Sequence, residues 1–252
     1  MAQTEWRQPS LTKEQAAFLF MMALEDDTED APWMTMGDLQ FWSASGFVHS
    51  LRDYARAQGL GWYVASMLPI FFPWPKSTRK HQLSPDTFVA FVPDHPRSSF
   101  DAVAEGGFPP FVLEVVSPSS TERDEGDKRE AYELLKVREY ALFTPREGRE
   151  SRLEGSRLGP DGLFVPWFPD ATGRLWSETL GLFLVTNGAL VQAQTPDGQL
   201  LLTPEQTGVA LRDAEDELAT LRRESETARQ RSEEELAALR RELARLRGEA
   251  EE

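Results

Sequence analysis

The chain has no cysteine, only three histidines, and a shortage of positive charge. The missing cysteine excludes disulfides, thiolate catalysis and cysteine-ligated zinc or iron–sulfur centres, and it fits a reducing cytoplasm. His49, His81 and His95 are widely spaced, which argues against a histidine-rich metal site. No apolar run approaches the ~20 residues of a membrane-spanning helix. The first residues, Met1 to Trp6, lack the basic and apolar regions of a signal peptide. A cytoplasmic protein with no membrane association is therefore expected. Gly106-Gly107 and the other glycines match neither a phosphate loop nor a dinucleotide fingerprint, and no Gly-x-Ser-x-Gly elbow occurs.

Positive charge is scarce throughout. The net charge is −15, with 27 Lys/Arg against 42 Asp/Glu. Residues 201–252 carry a net of −5, which leaves −10 on residues 1–200. Strong non-specific DNA binding rests on neutralising phosphates, so this balance weighs against it. Lys76, Arg79, Lys80 and Arg97 form the one local group that reads either as a basic site or as a solvated loop.

What is present suffices for one sizeable core with an appendage: 252 residues, 40% hydrophobic. Residues 11–24 and about 36–58 read as amphipathic helices. In the second, Leu39, Trp42, Phe47, Leu51 and Tyr54 fall near helical spacing. The acidic run from Glu25 to Asp30 between them reads as a solvated loop. Residues 62–72 read as a strand stopped by Pro73 and Pro75, and 94–110 as a polar connection. A helix is expected over about 121–136, capped by Ser119 or Ser120, with Ala131, Leu134 and Leu135 toward a core. Glu139 to Pro145 reads as another strand, and 149–202 as hairpins extending the sheet or packing beside it. This order argues for a mixed α/β sheet.

From Pro204 onward the pattern becomes a charged helical repeat. Leu211, Ala214, Leu218 and Leu221 make one apolar seam; Leu236, Leu239, Leu243 and Leu246 make another, offset by a stutter. A coiled-coil-like tail that self-associates is the expectation, set against a single solvated helix.

Two short apolar segments each carry one acid. Asp86 follows Ser84-Pro85 and precedes Thr87-Phe88-Val89-Ala90. Glu114 sits inside Phe111-Val112-Leu113-Glu114-Val115-Val116. Burying such acids is costly unless something pairs with them, and a divalent cation is one such partner. Magnesium accepts hard oxygen ligands and keeps several waters, so two carboxylates and a backbone carbonyl suffice to hold it. Lys128 follows, suited to orienting a water or offsetting developing negative charge.

Together, Ser84-Pro85-Asp86, Phe111 through Ser120, Asp124, Lys128, Tyr132 and Val137-Arg138-Glu139-Tyr140 resemble the Uma-two family of bacterial restriction-endonuclease-like proteins, within the PD-(D/E)xK nuclease superfamily. The resemblance spans about residues 34–205 and is strongest over 83–145. It implies a restriction-endonuclease-like mixed sheet flanked by helices, with an extension over 1–33 and a helical tail over 204–252. It implies Asp86 and Glu114 as ligands of Mg²⁺ (Mn²⁺ as substitute), with the Val115 backbone carbonyl as a third ligand. Val116 stands where the superfamily signature has lysine, and Lys128 on the following helix takes that role. Asp124, four residues earlier, would support Lys128 or bind metal indirectly. Asp38 and Gln40 are the candidates for an additional N-terminal ligand. Thr144-Pro145 replaces the usual Asp-Pro. The implied activity is a DNA endonuclease, and the apolar seams of the tail lead to the expectation of a homodimer through 205–248. The alternative is a catalytically inactive nuclease-fold module that oligomerises through its tail.

Overall fold

The computed structural model describes residues 11–26, 37–72, 81–116, 126–146 and 148–249. The elements run α1 (Lys13–Asp26), α2 (Asp38–Ala57), β1 (Tyr63–Ala65), β2 (Ile70–Phe72), β3 (His81–Leu83), β4 (Thr87–Ala90), β5 (Phe100–Asp101), β6 (Phe111–Val115), α3 (Lys128–Leu134) and β7 (Glu139–Thr144). They continue with β8 (Arg152–Leu158), β9 (Phe164–Trp167), β10 (Leu175–Ser177), β11 (Leu182–Asn187), β12 (Leu190–Gln194) and α4 (Pro204–Glu249). The chain divides into two units, 1–203 and 204–252.

A six-stranded sheet in the order β1-β4-β6-β7-β8-β9 organises the first unit. Only β6 and β7 among its neighbours run parallel; the other pairs are antiparallel. Parallel neighbours need a crossover, and α3 lies in the segment that joins them. Both faces of the sheet are covered, so β6 is buried at all five positions. Alternation along each strand sorts the core in two. Val112, Phe88, Tyr140 and Phe164 pack with α1, α3 and the small β3-β2-β5 sheet. Phe111, Leu113, Val115, Val89, Ala141 and Phe143 pack with α2 and the β10-β11-β12 sheet.

The expected mixed α/β fold is present, with differences in detail. Residues 62–72 form two strands, not one, and these belong to different sheets. Ser66 to Pro69 break the run: Met67 takes φ 51°, and Pro69 cannot donate to a ladder. The 94–110 connection contributes β5, which pairs in parallel with β2. Arg97 lies in an exposed loop, as expected, but its own side chain is buried. Its guanidinium makes two bonds to Glu105, at 2.7 and 3.1 Å, and lies 4.1 Å over the Tyr63 ring. Hydrogen bonding to Glu105 holds its pKa above the ordinary arginine value. The start of α2 also departs from a core-facing stripe: Leu39 and Trp42 are exposed, whereas Phe47 and Leu51 are buried. Glu25 and Asp26 end α1. The rest of the acidic run, Lys76, Arg79, Lys80 and the Ser119–Ser120 cap lie outside the described residues.

The second unit is the 46-residue helix α4, about 69 Å long at 1.5 Å per residue. Leu211, Leu218, Leu221, Leu236, Leu239 and Leu243 are all exposed on it. Among the described residues, no helix is long and apolar enough to cross a membrane.

Candidate active site

Where the β4–β6 ladder runs out, two backbone N–H groups need acceptors. Thr87 pairs with Leu113, so Asp86 stands opposite Glu114 and Pro85 opposite Val115. Pro85 has no N–H, and its carbonyl accepts from Met67 N–H at 3.1 Å. The Val115 N–H instead donates to Asp86 Oδ2 at 2.7 Å, and the Asp86 N–H donates to Glu114 Oε2 at 3.2 Å. Each acid thus finishes the other's strand. This exchange satisfies buried donors that would otherwise be costly, and it fixes the two carboxylates side by side. Ser66 Oγ donates to the Asp86 carbonyl at 2.8 Å, which anchors the turn before β4.

Glu114 is fully buried and Asp86 nearly so. The parity of β6 turns Glu114 toward α3, on the same face as Val112. From the first turn of α3, Lys128 Nζ lies 3.1 Å from Glu114 Oε2. One helical turn later, Tyr132 Oη donates to Glu114 Oε1 at 2.7 Å. Residues four apart share a helix face, so one short helix presents a cation and a hydroxyl to both oxygens of one carboxylate. From the opposite layer, Gln40 Nε2 of α2 reaches Asp86 Oδ2 at 3.4 Å.

Asp86, Glu114 and Lys128 therefore meet at one place, contributed by β4's start, β6 and α3. In an extended strand a residue's N–H and C=O share a side, so the Val115 carbonyl lies on the Asp86 side of β6. Of the two N-terminal candidates, Gln40 arrives at the site, while Asp38 lies exposed in α2's first turn. Asp124 lies outside the described residues. Sequence reasoning gave Tyr132 no role. Its spacing from Lys128 carried the signal, since any residue four positions on would face the same carboxylate.

The donor set suits a hard cation. It consists of carboxylate and carbonyl oxygens, with no sulfur or imidazole among the residues named. Among the described residues there is no group of three or more acidic, histidine or cysteine ligands. Two carboxylates with waters completing the shell match magnesium's habit, not that of a fully protein-caged ion.

A mixed sheet of this order, flanked by helices and carrying two acids and a lysine at one strand end, defines a restriction-endonuclease-like α/β protein. The sequence model of the Uma2 family, described as "Putative restriction endonuclease", matches residues 32–182, more than half of the chain. The chain belongs to that family. No curated protein matched it.

Proposed function

We propose that this protein is a Mg²⁺-dependent endonuclease that hydrolyses phosphodiester bonds in DNA. What supports the reading is the reciprocal clamp between Asp86 and Glu114 with the Lys128 amine 3.1 Å from Glu114. Asp86, Glu114 and the Val115 carbonyl would hold the ion. When bound, it would polarise the phosphate and lower the pKa of a coordinated water. Lys128 would orient the attacking water and offset charge growing on the phosphate. Tyr132 fixes the rotamer of Glu114, and Gln40 steadies Asp86, so neither carboxylate must be ordered at the moment of reaction. The test is cleavage of plasmid and linear DNA by purified protein with Mg²⁺ or Mn²⁺, which should be abolished in Glu114→Ala. Cutting that persists unchanged in that variant would refute the assignment.

The exposed leucines of α4 favour a second element: pairing of two chains through 205–248, which would supply one site per DNA strand. Leu218→Glu with Leu239→Glu in the full chain should halve the mass seen by sedimentation equilibrium. A wild-type monomer would exclude the pairing. An inactive module working only through this tail would keep its partner binding in Glu114→Ala while showing no cleavage in the wild type.

A further inference from the structure

The sheet face that carries Asp86 and Glu114 continues past them. The registers place Glu114 beside Leu142 and Leu142 beside Glu154, and the β8–β9 register carries the row on to Phe168. At ~4.8 Å per strand, this row runs about 14 Å from Glu114. Here the face opens into a groove of about 440 Å³ lined by Arg129, Tyr140, Leu142, Arg152, Ser156 and Phe168, among others. Arg129 follows Lys128 in α3. Its guanidinium donates to Ser156 Oγ at 3.2 Å and lies 5.5 Å from the Phe164 ring centre. The Arg152 side chain is half exposed and pairs with Glu154 at 2.6 Å. Phe168 is 79% exposed, the most exposed of the large apolar side chains named at this groove.

Resting on the nuclease reading above, we propose that this groove holds a single-stranded segment of the nucleic-acid substrate leading away from the carboxylates. One base stacks on Phe168, and backbone phosphates lie against Arg152 and Arg129. The choice of a single strand follows from two observations. Bases inside a duplex already stack on each other, so a lone exposed ring rewards only an unstacked base. A chain of net charge −15 is poorly suited to a duplex grip built on many neutralised phosphates, whereas a stacking platform depends less on charge. Arg152 would trade Glu154 for a phosphate, which makes that contact salt-sensitive.

The experiment is fluorescence anisotropy of the full-length protein with a short labelled oligothymidine, alone and as its duplex, with Ca²⁺ in place of Mg²⁺. Phe168→Ala should weaken single-strand binding about tenfold, leave duplex binding near wild type, and be rescued by Phe168→Trp. Arg152→Ala should weaken binding and reduce its salt slope by about one. Because Phe168 is exposed, thermal unfolding of Phe168→Ala should match wild type. Wild-type single-strand affinity in Phe168→Ala, or no single-strand binding by the wild type, overturns the proposal. If Glu114→Ala abolishes cutting while Phe168→Ala cuts with unchanged KM, the groove fails and the nuclease stands. Phe168-dependent binding without any cleavage by the wild type leaves the groove and removes the nuclease.

Discussion

Two buried glutamates on the neighbouring strands β6 and β7 make almost the same set of contacts. Glu114 meets Lys128, the Tyr132 hydroxyl and the Asp86 N–H. Glu139 meets Arg157 at 3.3 Å, the Ser177 hydroxyl and the Glu178 N–H at 2.9 Å. Among these contacts each has a cation, a hydroxyl and a backbone donor, and both glutamates are essentially inaccessible to solvent. They differ in what stands around them. Beside Glu114 is a second carboxylate, Asp86, locked in by the Val115 N–H. Beside Glu139, the arginine has other partners as well: Arg157 also bonds the Trp176 carbonyl and Glu178, and lies 4.6 Å over the Trp167 ring. Burial and pairing by themselves identify a satisfied acid. A second acid that is itself buried, where the Glu139 cluster has only the exposed Glu178 carboxylate, with a point-charge lysine in place of a forked arginine, separates a candidate cation site from a structural tie. The Glu139 cluster sits on the opposite sheet face and joins β7 and β8 to the end of β10 and the turn that follows it.

The sharpest way to break this contrast is to neutralise each glutamate without changing its shape. Glu114→Gln should lower cleavage by at least about a hundredfold, the scale on which a positioned charge-stabilising group acts. Circular dichroism should show the fold retained, because the glutamine oxygen can still accept from the Asp86 N–H while the Tyr132 hydroxyl turns to accept from the new amide NH2. Cleavage within a fewfold of wild type would make Glu114 a structural acid like Glu139 and dissolve the distinction.

Glu139→Gln is the converse. Removing one partner of a buried ion pair typically costs about 3–5 kcal/mol. Here about 2 kcal/mol is expected, since Arg157 is a quarter exposed and keeps its bonds to Trp176 and Glu178. Urea unfolding measures that loss, and cleavage per folded molecule should stay at the wild-type level. A stable Glu139→Gln that no longer cuts would place Glu139 in the chemistry and reverse the comparison.

Much of this contrast was legible in the sequence, and unevenly so. Asp86 and Glu114 stood out because acids are rare amid Phe, Val and Leu. Their order, followed by Lys128, carried the resemblance that the family match supports. The sequence could not say that the two acids would complete each other's strand, because that depends on the β4–β6 register and on Pro85 lacking an N–H. Glu139 was hidden for the opposite reason. It opens its strand next to Arg138, where charged residues usually face water, and its partners Arg157 and Ser177 are distant in sequence. The split of 62–72 into two strands was masked by an unbroken apolar composition; only the φ of Met67 and the geometry of Pro69 reveal the turn. The burial of the Arg97 side chain was hidden for a similar reason, since its partner Glu105 lies across a loop that is polar and largely exposed.

The finest test uses the two hydroxyls. Ser177→Ala removes the Ser177 donor to Glu139 and the acceptor for the Leu180 N–H at 3.0 Å. It should cost about 1–2 kcal/mol, the scale of a buried hydrogen bond to a charged group, with cleavage unchanged. Tyr132→Phe keeps the ring packed against Tyr140, 5.1 Å away, and removes the hydroxyl's bond to Glu114. Its stability loss should be of the same order, but it should also raise the Mg²⁺ concentration for half-maximal cleavage by about tenfold, as expected for a group that orients a ligand without being one. A magnesium titration of both variants separates the roles, because a purely structural hydroxyl shifts unfolding and leaves the midpoint alone. Equal midpoints in Tyr132→Phe and wild type would show that Tyr132 supports Glu114 only as Ser177 supports Glu139.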